Sequence, residues 1–553
     1  MKFSSNLKML PVAALMLAAF GPSANAVETS WSATQSHAPD VSAATPGAAM
    51  KAGEAVHIAI SLQIRNKSEL DALTADLIAG RSTKTLSSAD FLSRFAPSDD
   101  QVQAVVDHLT QSGFINIEVA QNKLMITADG TAGSAKAAFK VDMQHFTVKG
   151  REAHANLNDP VVPKALEKIV LSVHGLQDIN VSHTNLVKAS PQASGTSGEV
   201  GHSPASWPTI YGGTGIPNAA NTTIGIITGG SMTQTLKDLA TFVKQAGFAT
   251  PTTSVVGGKG NSTSGTPEWD IDSQDSLGAA GGVVKSIVFY AAKGMTDADL
   301  NADYNTAVSA NVAKVINVSL GECETGAKSD GTEATDDQIF ETAVAQGQTF
   351  AVASGDSGSY ECGGKTNEQS YPAVSPYVIA VGGTTLSTTS GGVWSSETAW
   401  SCTSYKTCPQ SADGGGGGGV SSTETAPSWQ VSSGVLGTST KRGVPDIAFD
   451  ANPSSGSLPI VDGTATQYGG TSLATPIFVG FWARIQSAHS NGLAFPATAL
   501  YKYGSANEST IFHDVTSGSN GGYSAGTGWD YVTGFGSLNV GAFATFVTNN
   551  SGF

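Results

Sequence analysis

After residue 210, short apolar segments alternate along the sequence with segments of helical spacing. Four segments rich in β-branched residues and closed by Gly or Asp indicate strands: TTIGIIT, VAKVINVSLG, QTFAVASGD and SPYVIAVGG. TLKDLATFVKQAG and DDQIFETAVAQG have the apolar spacing of helices. Continuous apolar strands that alternate with helices predict an α/β domain with a doubly wound parallel sheet covered on both faces. Functional residues of such a sheet lie at the carboxyl ends of its strands.

A smaller domain with mixed helices and strands precedes this region. HIAISLQIR alternates as a half-buried strand, and Leu70, Leu73 and Leu77 then share one helical face. Ser98 and Gln101 have the spacing of a capping box at the start of a second helix.

Two further patterns complete this smaller domain. INIEVAQNKLMIT predicts a hairpin that turns at Gln121-Asn122, and KALEKIVLSV fits a closing helix or strand. We predict a small α+β, ferredoxin-like domain, folded from about residue 57. The Ala-, Ser-, Thr- and Pro-rich segment from 27 to about 55 is expected to be poorly ordered.

Residues 1–26 have the pattern of a secretory signal peptide. Lys2 and Lys8 flank its start, Met9 to Phe20 is a short apolar run, and Ala24-Asn25-Ala26 supplies small residues around a cleavage site. The run is too short to span a bilayer, and no later segment is long and apolar enough. The sequence therefore predicts an exported, soluble protein.

The boundary between the two folded regions is rich in Ser, Gly and Pro, the composition of a flexible linker open to proteases. Such a layout is typical of a zymogen. We predict a propeptide over 27–190, a linker with the processing site over 191–207, and a catalytic domain over 208–553. Two independent domains on a flexible tether are the alternative.

Charge and cysteine content limit the partners and the compartment. A net charge of -16 and a pI near 5.0 argue against nucleic acid or an anionic membrane as a partner. Few basic residues also limit positive self-repulsion in acid, which makes acid tolerance plausible. Four cysteines in an exported chain predict two structural disulfides, for which three pairings are possible. They are Cys323, Cys362, Cys402 and Cys408.

The stretch GGTSLATP presents Ser472 as subtilisin-type proteases present their reactive serine, at the start of a buried helix. Those enzymes use a histidine base. Of the ten histidines here, none lies between 203 and 471, where a base that precedes the serine would be found. Another kind of group must therefore activate Ser472, unless the serine is unreactive.

Taken in order, these segments resemble those of subtilisin with the catalytic residues replaced. TTIGIITGG ends in Thr228 and Gly229 where a subtilisin strand reaches its catalytic aspartate, and TPEWDIDSQD has no histidine where the histidine helix would begin. Asp356 stands where subtilisins have the asparagine of the oxyanion hole.

This combination resembles the sedolisin family of serine-carboxyl peptidases, most closely its pseudomonalisin-type members. The resemblance covers nearly the whole chain. Its motifs are ExxxD at Glu268 and Asp272, SGDxG around Asp356, and GTSxxxP around Ser472.

The chemistry of the two carboxyls follows from their spacing. Thr266 and Pro267 predict a helix start, with threonine as the N-cap. Glu268 and Asp272 then lie four residues apart on one helical face, share a proton, and one of them has a raised pKa. We expect Glu268 to accept the Ser472 proton in mild acid, where imidazole would already be protonated, and Asp272 to orient Glu268.

Asp356 is expected to stabilise the oxyanion. Only a protonated carboxyl can donate the required hydrogen bond, and the Ser472 N–H would be the second donor. These requirements predict activity in acid. The family suggests that Asp270 joins the hydrogen-bond network without a catalytic role.

The resemblance further implies how the cleft and a metal loop are built. INVSLG resembles the strand edge that pairs with an extended peptide in subtilisin-like enzymes, which makes Ser319, Leu320 and Gly321 candidate substrate-binding residues. The glycine run Gly414 to Gly419 lacks a phosphate-loop motif and is interpreted as a cleft-lining loop with added slack. The family binds one structural Ca²⁺, an ion that prefers oxygen ligands. The implied ligands are the side chains of Asp514 and Asp530 and the carbonyls of Val515, Gly526 and Gly528.

The family also implies disulfides that join Cys323 with Cys362 and Cys402 with Cys408. Its propeptide blocks the catalytic domain and is removed at low pH. We expect a monomer that acts on proteins and peptides, has its own propeptide as an intramolecular inhibitor, and has no nucleic-acid or membrane partner.

Two rival hypotheses belong to different classes. In the first, a distant histidine such as His489 or His513 is the base of an ordinary serine protease. In the second, the chain is a secreted, calcium-stabilised binding protein on an inactive protease scaffold. The joint presence of the serine and three carboxyls argues against this second rival, because an inactive scaffold has no chemical need for all four.

Overall fold

A computed structural model describes residues 30–189, 199–258, 260–408 and 414–550. The predicted signal peptide and positions 191–198 of the predicted linker lie outside the described residues. Within the described ranges, no helix combines the length and apolarity needed to cross a bilayer.

The first folded region has an antiparallel four-stranded sheet in the order β4-β5-β3-β9 and a three-stranded sheet in the order β2-β6-β7. Its strands are β1 Trp31–Ala33, β2 Thr45–Ala49, β3 Ala55–Leu62, β4 Ile115–Val119, β5 Met125–Thr131, β6 Met143–Val148, β7 Arg151–Asn156, β8 Val161–Pro163, β9 Val170–His174, β10 His183–Thr184 and β11 Val187–Lys188. Its helices are α1 Lys67–Ile78, α2 Ser88–Arg94, α3 Asp99–Gln111 and α4 Ala132–Phe139.

The four-stranded sheet confirms the ferredoxin-like prediction. Helices connect β3 to β4 and β5 to β9, which gives the β-α-β-β-α-β connectivity of that fold. Ser98 and Gln101 form the predicted capping box at the start of α3. KALEKIVLSV resolves into a short 3₁₀ turn followed by β9.

The start of this region differs from its prediction. The expected poor order up to about residue 55 is wrong for the described part, because β1 pairs with β8 and β2 pairs with β6. These pairings use backbone groups, so the polar and small side chains of the segment do not prevent them.

The second region has a larger, mostly parallel sheet in the order β13-β14-β12-β15-β17-β19-β20, with β23 beside β19. Its strands are β12 Ala219–Gly229, β13 Thr253–Gly257, β14 Val284–Ala292, β15 Val315–Val318, β16 Leu320–Cys323, β17 Thr349–Ala353, β18 Ser370–Tyr371, β19 Ile379–Thr388, β20 Trp394–Ala399, β21 Gly419–Thr425, β22 Lys441–Val444, β23 Ile447–Asp450, β24 Ile460–Val461, β25 Thr464–Ala465, β26 Tyr468–Gly469, β27 Phe512–His513 and β28 Ser537–Leu538. Its helices are α5 Trp207–Ile210, α6 Thr233–Ala246, α7 Thr266–Ala279, α8 Asp297–Ala310, α9 Glu324–Asp330, α10 Thr332–Ala345, α11 Ser428–Ser433, α12 Thr471–Ala488, α13 Ala497–Ile511 and α14 Val540–Asn549.

This sheet confirms the predicted α/β class. The central strands β12, β15 and β17 are buried over most of their length, because helices cover both faces. Every residue of α12 from Thr471 to Ser487 is buried, so this helix lies inside the domain.

The end of the predicted flexible linker is ordered. The His202 N–H donates to Gly456 O at 2.8 Å, and the Leu458 N–H donates to His202 O at 2.8 Å. Trp207 is buried, and its Nε1–H donates to Asp275 Oδ1 at 2.7 Å. The predicted flexibility is therefore wrong from about residue 202, because a buried tryptophan anchors the segment.

Two disulfides form as the resemblance implied, between Cys323 and Cys362 and between Cys402 and Cys408. The glycine run 414–419 differs from its interpretation as slack, since all six residues are buried. A Cβ on Gly417 would overlap the Ser354 carbonyl oxygen, and one on Gly416 would lie 3.1 Å from the Gly383 carbonyl oxygen. Close backbone packing therefore requires glycine here.

Candidate active site

The four candidate catalytic residues converge at the carboxyl end of the central strands. Asp356 follows β17, and Ser319 follows β15. Glu268 and Asp272 lie in the first two turns of α7, and Ser472 is the second residue of α12. The sequence thus places each candidate where strands end or helices begin, as expected for a doubly wound sheet.

Close packing of α7 against α12 brings the carboxyls towards the serine. A Cβ on Gly480 of α12 would overlap the carbonyl oxygen of Ser276 in α7. Glycine at this position therefore allows the two helix backbones to approach closely.

The start of α7 differs slightly from the prediction. The expected N-cap at Thr266 is wrong, since the helix begins at Thr266, and Gly265 occupies the cap without a side-chain bond. Pro267 nevertheless lies in the first turn, where its missing N–H costs no helical hydrogen bond. The four-residue spacing of Glu268 and Asp272 is unaffected.

Both α7 carboxyls are buried, with Glu268 1% and Asp272 0% exposed. Asp272 Oδ1 accepts a 2.6 Å hydrogen bond from the Ser319 hydroxyl, which itself accepts from Asn317 Nδ2 at 3.0 Å. Neither Glu268 oxygen has a hydrogen-bond partner within the described part of the chain. Glu268 is therefore the less constrained of the two.

Burial governs the protonation of this pair. It raises the Glu268 pKa well above its ordinary value, the Asp272 charge adds to that rise, and the Ser472 hydroxyl opposes it. Burial also raises the Asp272 pKa well above its ordinary value, against hydrogen bonds from Ser319 and Asn317. Two buried carboxyls without a cation favour a state in which they hold at least one proton.

Asp356 is attached to the start of α12. Its Oδ1 accepts from the Thr471 N–H at 2.8 Å and from the Thr471 hydroxyl at 2.9 Å. Its Oδ2 is buried and has no hydrogen-bond partner among the described residues. Burial raises the Asp356 pKa to about 7, against the two Thr471 bonds that lower it. In mild acid this carboxyl is consequently protonated and can donate a hydrogen bond.

A segment of the first region runs through this site. Strand β10 pairs with β16, so that His183 lies opposite Gly321 and Thr184 lies opposite Leu320. The Asn185 N–H then donates to Ser319 O at 3.3 Å. The candidate substrate-binding residues thus hold a segment of their own chain.

The carbonyl group of Asn185 lies at Ser472, the candidate nucleophile. The Ser472 N–H donates to the Asn185 carbonyl oxygen at 3.1 Å, and Ser472 Oγ lies 3.4 Å from Ser319 O. Gly470 has a φ of 112°, and a Cβ there would overlap the Asn185 oxygen and lie 2.7 Å from Asp356 Oδ2. The carbonyl oxygen and the Asp356 carboxyl therefore lie next to the same face of this glycine.

Three other candidates lie elsewhere. Burial and the Asp238 charge raise the pKa of Asp270 to about 9, so this residue belongs to a separate acidic pair. His489 Nδ1 lies 2.9 Å from Ile485 O, and His513 stacks on a tryptophan ring. None of the three has a hydrogen bond to Ser472 within the described residues, and neither histidine gains support as a base.

Sequence reasoning missed Thr471, Asn317 and Asn185. Thr471 fixes Asp356, and Asn317 fixes the serine hydroxyl that binds Asp272. Thr471 and Asn317 both lie inside the motifs GTSxxxP and INVSLG, so their positions beside candidate residues are a signal in the sequence. Asn185 carries no such signal, because its role depends on how the two folded regions meet.

The predicted calcium residues share one loop. Asp514 Oδ2 accepts from the Gly528 N–H at 3.2 Å, and Asp530 Oδ2 accepts from the Gly526 N–H at 2.8 Å. Asp514 Oδ1 is buried without a partner, and no hydrogen bond in the described residues ends at the carbonyls of Val515, Gly526 or Gly528. An unpartnered carboxylate oxygen and free carbonyls are the donor set that suits Ca²⁺.

A second acidic cluster lies beneath the first region. Asp297, Glu322 and Asp330 are buried, each with an oxygen within 4.8 Å of the others, and the group could hold a metal ion. Gln177 Nε2 donates to Asp297 at 3.0 Å and to Asp330 at 3.1 Å. The cluster therefore also links the two regions.

Two family models match the chain. Residues 43–179 match the pro-kumamolisin activation domain, and residues 240–536 match the subtilase family. The matches follow the division into two folded regions.

Curated relatives match nearly the full length. Sedolisin of Pseudomonas sp. (strain 101) is 45% identical over 98% of this chain and 96% of its own. Xanthomonalisin of Xanthomonas sp. (strain T-22) is 42% identical over 98% of this chain and 71% of its own. The solved structure of Pseudomonas sedolisin, a serine-carboxyl proteinase complexed with pseudo-iodotyrostatin, aligns with a TM-score of 0.60 and 48% identity, over 65% of this chain and 100% of that one.

Proposed function

The chain belongs to the sedolisin family and is a serine-type peptidase with an activation domain, and from that premise we propose how its residues hydrolyse peptide bonds. Ser472 is the nucleophile that attacks the carbonyl carbon of the substrate. Glu268 accepts the Ser472 proton and passes it to the leaving amine. Asp272, fixed by Ser319, orients Glu268 and shares its proton.

Asp356 stabilises the developing oxyanion. Its Oδ1 accepts two hydrogen bonds from Thr471, so the proton is carried by Oδ2, which is free to donate to the oxyanion. The Ser472 N–H supplies the second donor. Two donors on one oxygen disperse the negative charge of the tetrahedral intermediate.

One observation carries this proposal. The Asn185 carbonyl oxygen already lies 3.1 Å from the Ser472 nitrogen, and the unpartnered Asp356 oxygen lies next to the same face of Gly470. An extended peptide that pairs with β16 therefore delivers its carbonyl to the candidate donors.

The proposed pH range is acidic. Asp356 must be protonated to donate, and its pKa of about 7 permits this in acid. The Glu268–Asp272 pair must keep one vacant proton site to accept the serine proton. Activity is therefore bounded above by loss of the Asp356 proton and below by full protonation of the pair.

The first region acts as an intramolecular inhibitor. Residues 183–188 fill the cleft where a substrate would bind, which supports a propeptide over 27 to about 190 and a catalytic domain over 208–553. Residues 1–26 direct export, so the protein acts outside the cell on protein and peptide substrates, as a monomer.

A single Ca²⁺ stabilises the C-terminal loop. Asp514 and Asp530 would hold it, together with the carbonyls of Val515, Gly526 and Gly528. The bound ion would offset the cost of partly burying these two carboxylates, whose pKa values burial raises. Within the described residues, none of these five ligands has a hydrogen bond to the four catalytic candidates, which assigns the ion a structural role.

Hydrolysis of an unfolded protein substrate from about pH 2.5 to about pH 8 tests the proposal. Activity confined to acid, and lost in Ser472→Ala and Glu268→Gln, is the expected result. A peak near neutral pH that survives Glu268→Gln would return the search for a base to the histidines. The rival of an inactive binding scaffold requires no hydrolysis at any pH, and no observation favours it.

A further inference from the structure

We propose that the bond between Asn185 and Leu186 is the first bond that this protein cleaves, and that each molecule cleaves its own. The inference rests on the proposed function of Ser472, Glu268 and Asp356. It adds the identity of the processed bond, which the sequence alone placed in the linker over 191–207.

Hydrogen bonds hold the segment on both sides of this bond. On the amino side, β10 pairs with β16 and the Asn185 N–H donates to Ser319 O at 3.3 Å. On the carboxyl side, Val187 lies opposite Gly469 and Lys188 lies opposite Tyr468. The Ala189 N–H continues this pairing with a 3.0 Å bond to Gln467 O. An extended peptide fixed on both sides of one bond has the arrangement of a substrate.

Within the described residues, the Asn185 carbonyl is the group of this segment that accepts from the Ser472 N–H. The two preceding residues instead pair with β16, His183 opposite Gly321 and Thr184 opposite Leu320. Shifting the register by one residue would move each side chain to the opposite face of the strand. The geometry therefore selects the bond after Asn185.

The Asn185 side chain supports the same register. It is 2% exposed, and its Nδ2 lies 3.4 Å from the position that a Cβ on Gly321 would occupy. Asn185 Nδ2 is buried without a hydrogen-bond partner among the described residues. The side chain thus lies buried next to Gly321 of the second folded region, so the site accepts a small polar residue before the cleaved bond.

Contacts upstream make the reaction intramolecular. His174 at the end of β9 is buried against Thr335, and Gln177 donates to Asp297 and Asp330. The second folded region contains Asp297, Asp330 and Thr335. The segment is therefore anchored to that region only a few residues before the cleft. A tether of this length gives the bond a high effective concentration at Ser472.

The step balances as an ordinary hydrolysis. Ser472 Oγ bonds to the Asn185 carbonyl carbon while its proton passes to Glu268. The carbon–nitrogen bond to Leu186 breaks, and Glu268 returns the proton to the Leu186 nitrogen. Water then adds OH to the Asn185 carbon and H to Ser472 Oγ, which leaves a carboxylic acid at Asn185 and an amine at Leu186.

An acid time course of the full-length protein tests the inference. The protein is purified at neutral pH and shifted to about pH 4, and intact mass and terminal sequencing identify the first fragments. The expected first pair is a propeptide that ends at Asn185 and a catalytic chain that begins at Leu186. Its rate constant should not change when the protein concentration changes tenfold, because the reaction is intramolecular.

Three variants sharpen this test. Asn185→Pro removes the N–H that donates to Ser319 O and should slow the appearance of this fragment pair at least tenfold. Val200→Pro changes an exposed residue of the predicted linker and should leave the rate unchanged. Ser472→Ala should yield no fragments.

The outcomes separate the two proposals. A first cut after residue 189, with hydrolysis of an added peptide intact, overturns this inference and leaves the proposed function standing. A cut at Asn185–Leu186 whose rate constant scales with protein concentration overturns the intramolecular step. Hydrolysis of neither the chain nor an added peptide overturns both proposals.

Discussion

The backbone N–H of Ser472 donates a 3.1 Å hydrogen bond to the carbonyl oxygen of Asn185. Ser472 belongs to the buried helix α12 of the second folded region, and Asn185 follows β10 at the end of the first folded region. In the proposed function, the same contact blocks the cleft and presents a bond to the nucleophile. Inhibition and activation would then share one geometry.

Replacing either proton-transfer residue should abolish hydrolysis. Ser472→Ala removes the attacking oxygen and should lower kcat/KM at least about a thousandfold. Glu268→Gln keeps the shape but cannot accept a proton, and a loss of about 10²–10⁴-fold is expected. Hydrolysis of a quenched fluorescent peptide near pH 4 measures both.

Asp270→Asn is the matched control for Glu268→Gln. Asp270 lies on the same helix, and its pKa of about 9 keeps it neutral at the assay pH, so the amide is a close substitute. This variant should retain activity within a few-fold. An equal loss in Asp270→Asn would show that the helix, and not Glu268, was affected.

Asp356 should set the alkaline limit of activity. Its raised pKa of about 7 means that the donor form is present below pH 7 and is lost as the pH rises through that value. Asp356→Ala should lower kcat by about 10²–10³-fold, the usual effect of losing one oxyanion donor. Asp356→Asn retains a donor that does not titrate, so it should be more active than Asp356→Ala and should lose less activity between pH 6 and 8. Equal profiles for the two variants would contradict the assigned role.

Removal of calcium should destabilise the catalytic region. Free Ca²⁺ at a hundredfold excess over its Kd adds about 2.7 kcal/mol to the free energy of unfolding. EDTA should therefore lower the Tm of the Ser472→Ala protein by several degrees at neutral pH. Asp514→Asn should lose this response, whereas Asp462→Asn, at an exposed position away from the loop, should keep it. An unchanged response in Asp514→Asn would exclude that residue as a ligand.

Burial of His174 should make the activation region sensitive to acid. Burial lowers the His174 pKa from 6.5 to about 3, so the folded state holds this ring neutral while an unfolded chain protonates it. Its stabilising contribution is complete above pH 6.5. It is lost by about 1.4 kcal/mol per pH unit between pH 6.5 and about pH 3.

Thermal unfolding of Ser472→Ala from about pH 7 to about pH 3 measures this effect. His174→Gln in the same background should flatten the fall in Tm. The buried carboxyls Asp297, Glu322 and Asp336 titrate with the opposite sign, because their raised pKa values favour the protonated fold in acid. The difference between the two proteins therefore isolates the histidine.

Local patterns in the sequence predict the elements that carry the site. The apolar strands are continuous because both faces of the sheet are covered, and Glu268 and Asp272 share a helical face because they are four residues apart. The capping box at Ser98 depends only on neighbouring residues. Such features were predictable because the physical cause lies within one segment.

Features that depend on distant backbone contacts were not predictable. The placement of Asn185 at Ser472 and the pairing of β11 with β26 require the two folded regions to be docked. Strands β1 and β2 likewise form only by pairing with strands more than 90 residues away in the chain. The predicted N-cap at Thr266 is wrong by one residue, because α7 already begins at Thr266 and Gly265 is its N-cap.

The buried glycine run 414–419 adds a cost in conformational entropy next to the oxyanion site. Glycine loses more backbone freedom on folding than alanine, by about 0.5–1 kcal/mol per residue. Six such residues together amount to about 3–6 kcal/mol, and Gly417 packs directly on the segment that leads to Asp356. The proposed oxyanion site therefore packs on a segment that gains much backbone conformational entropy when it unfolds. On heating, loss of catalytic competence should precede unfolding of the parallel sheet.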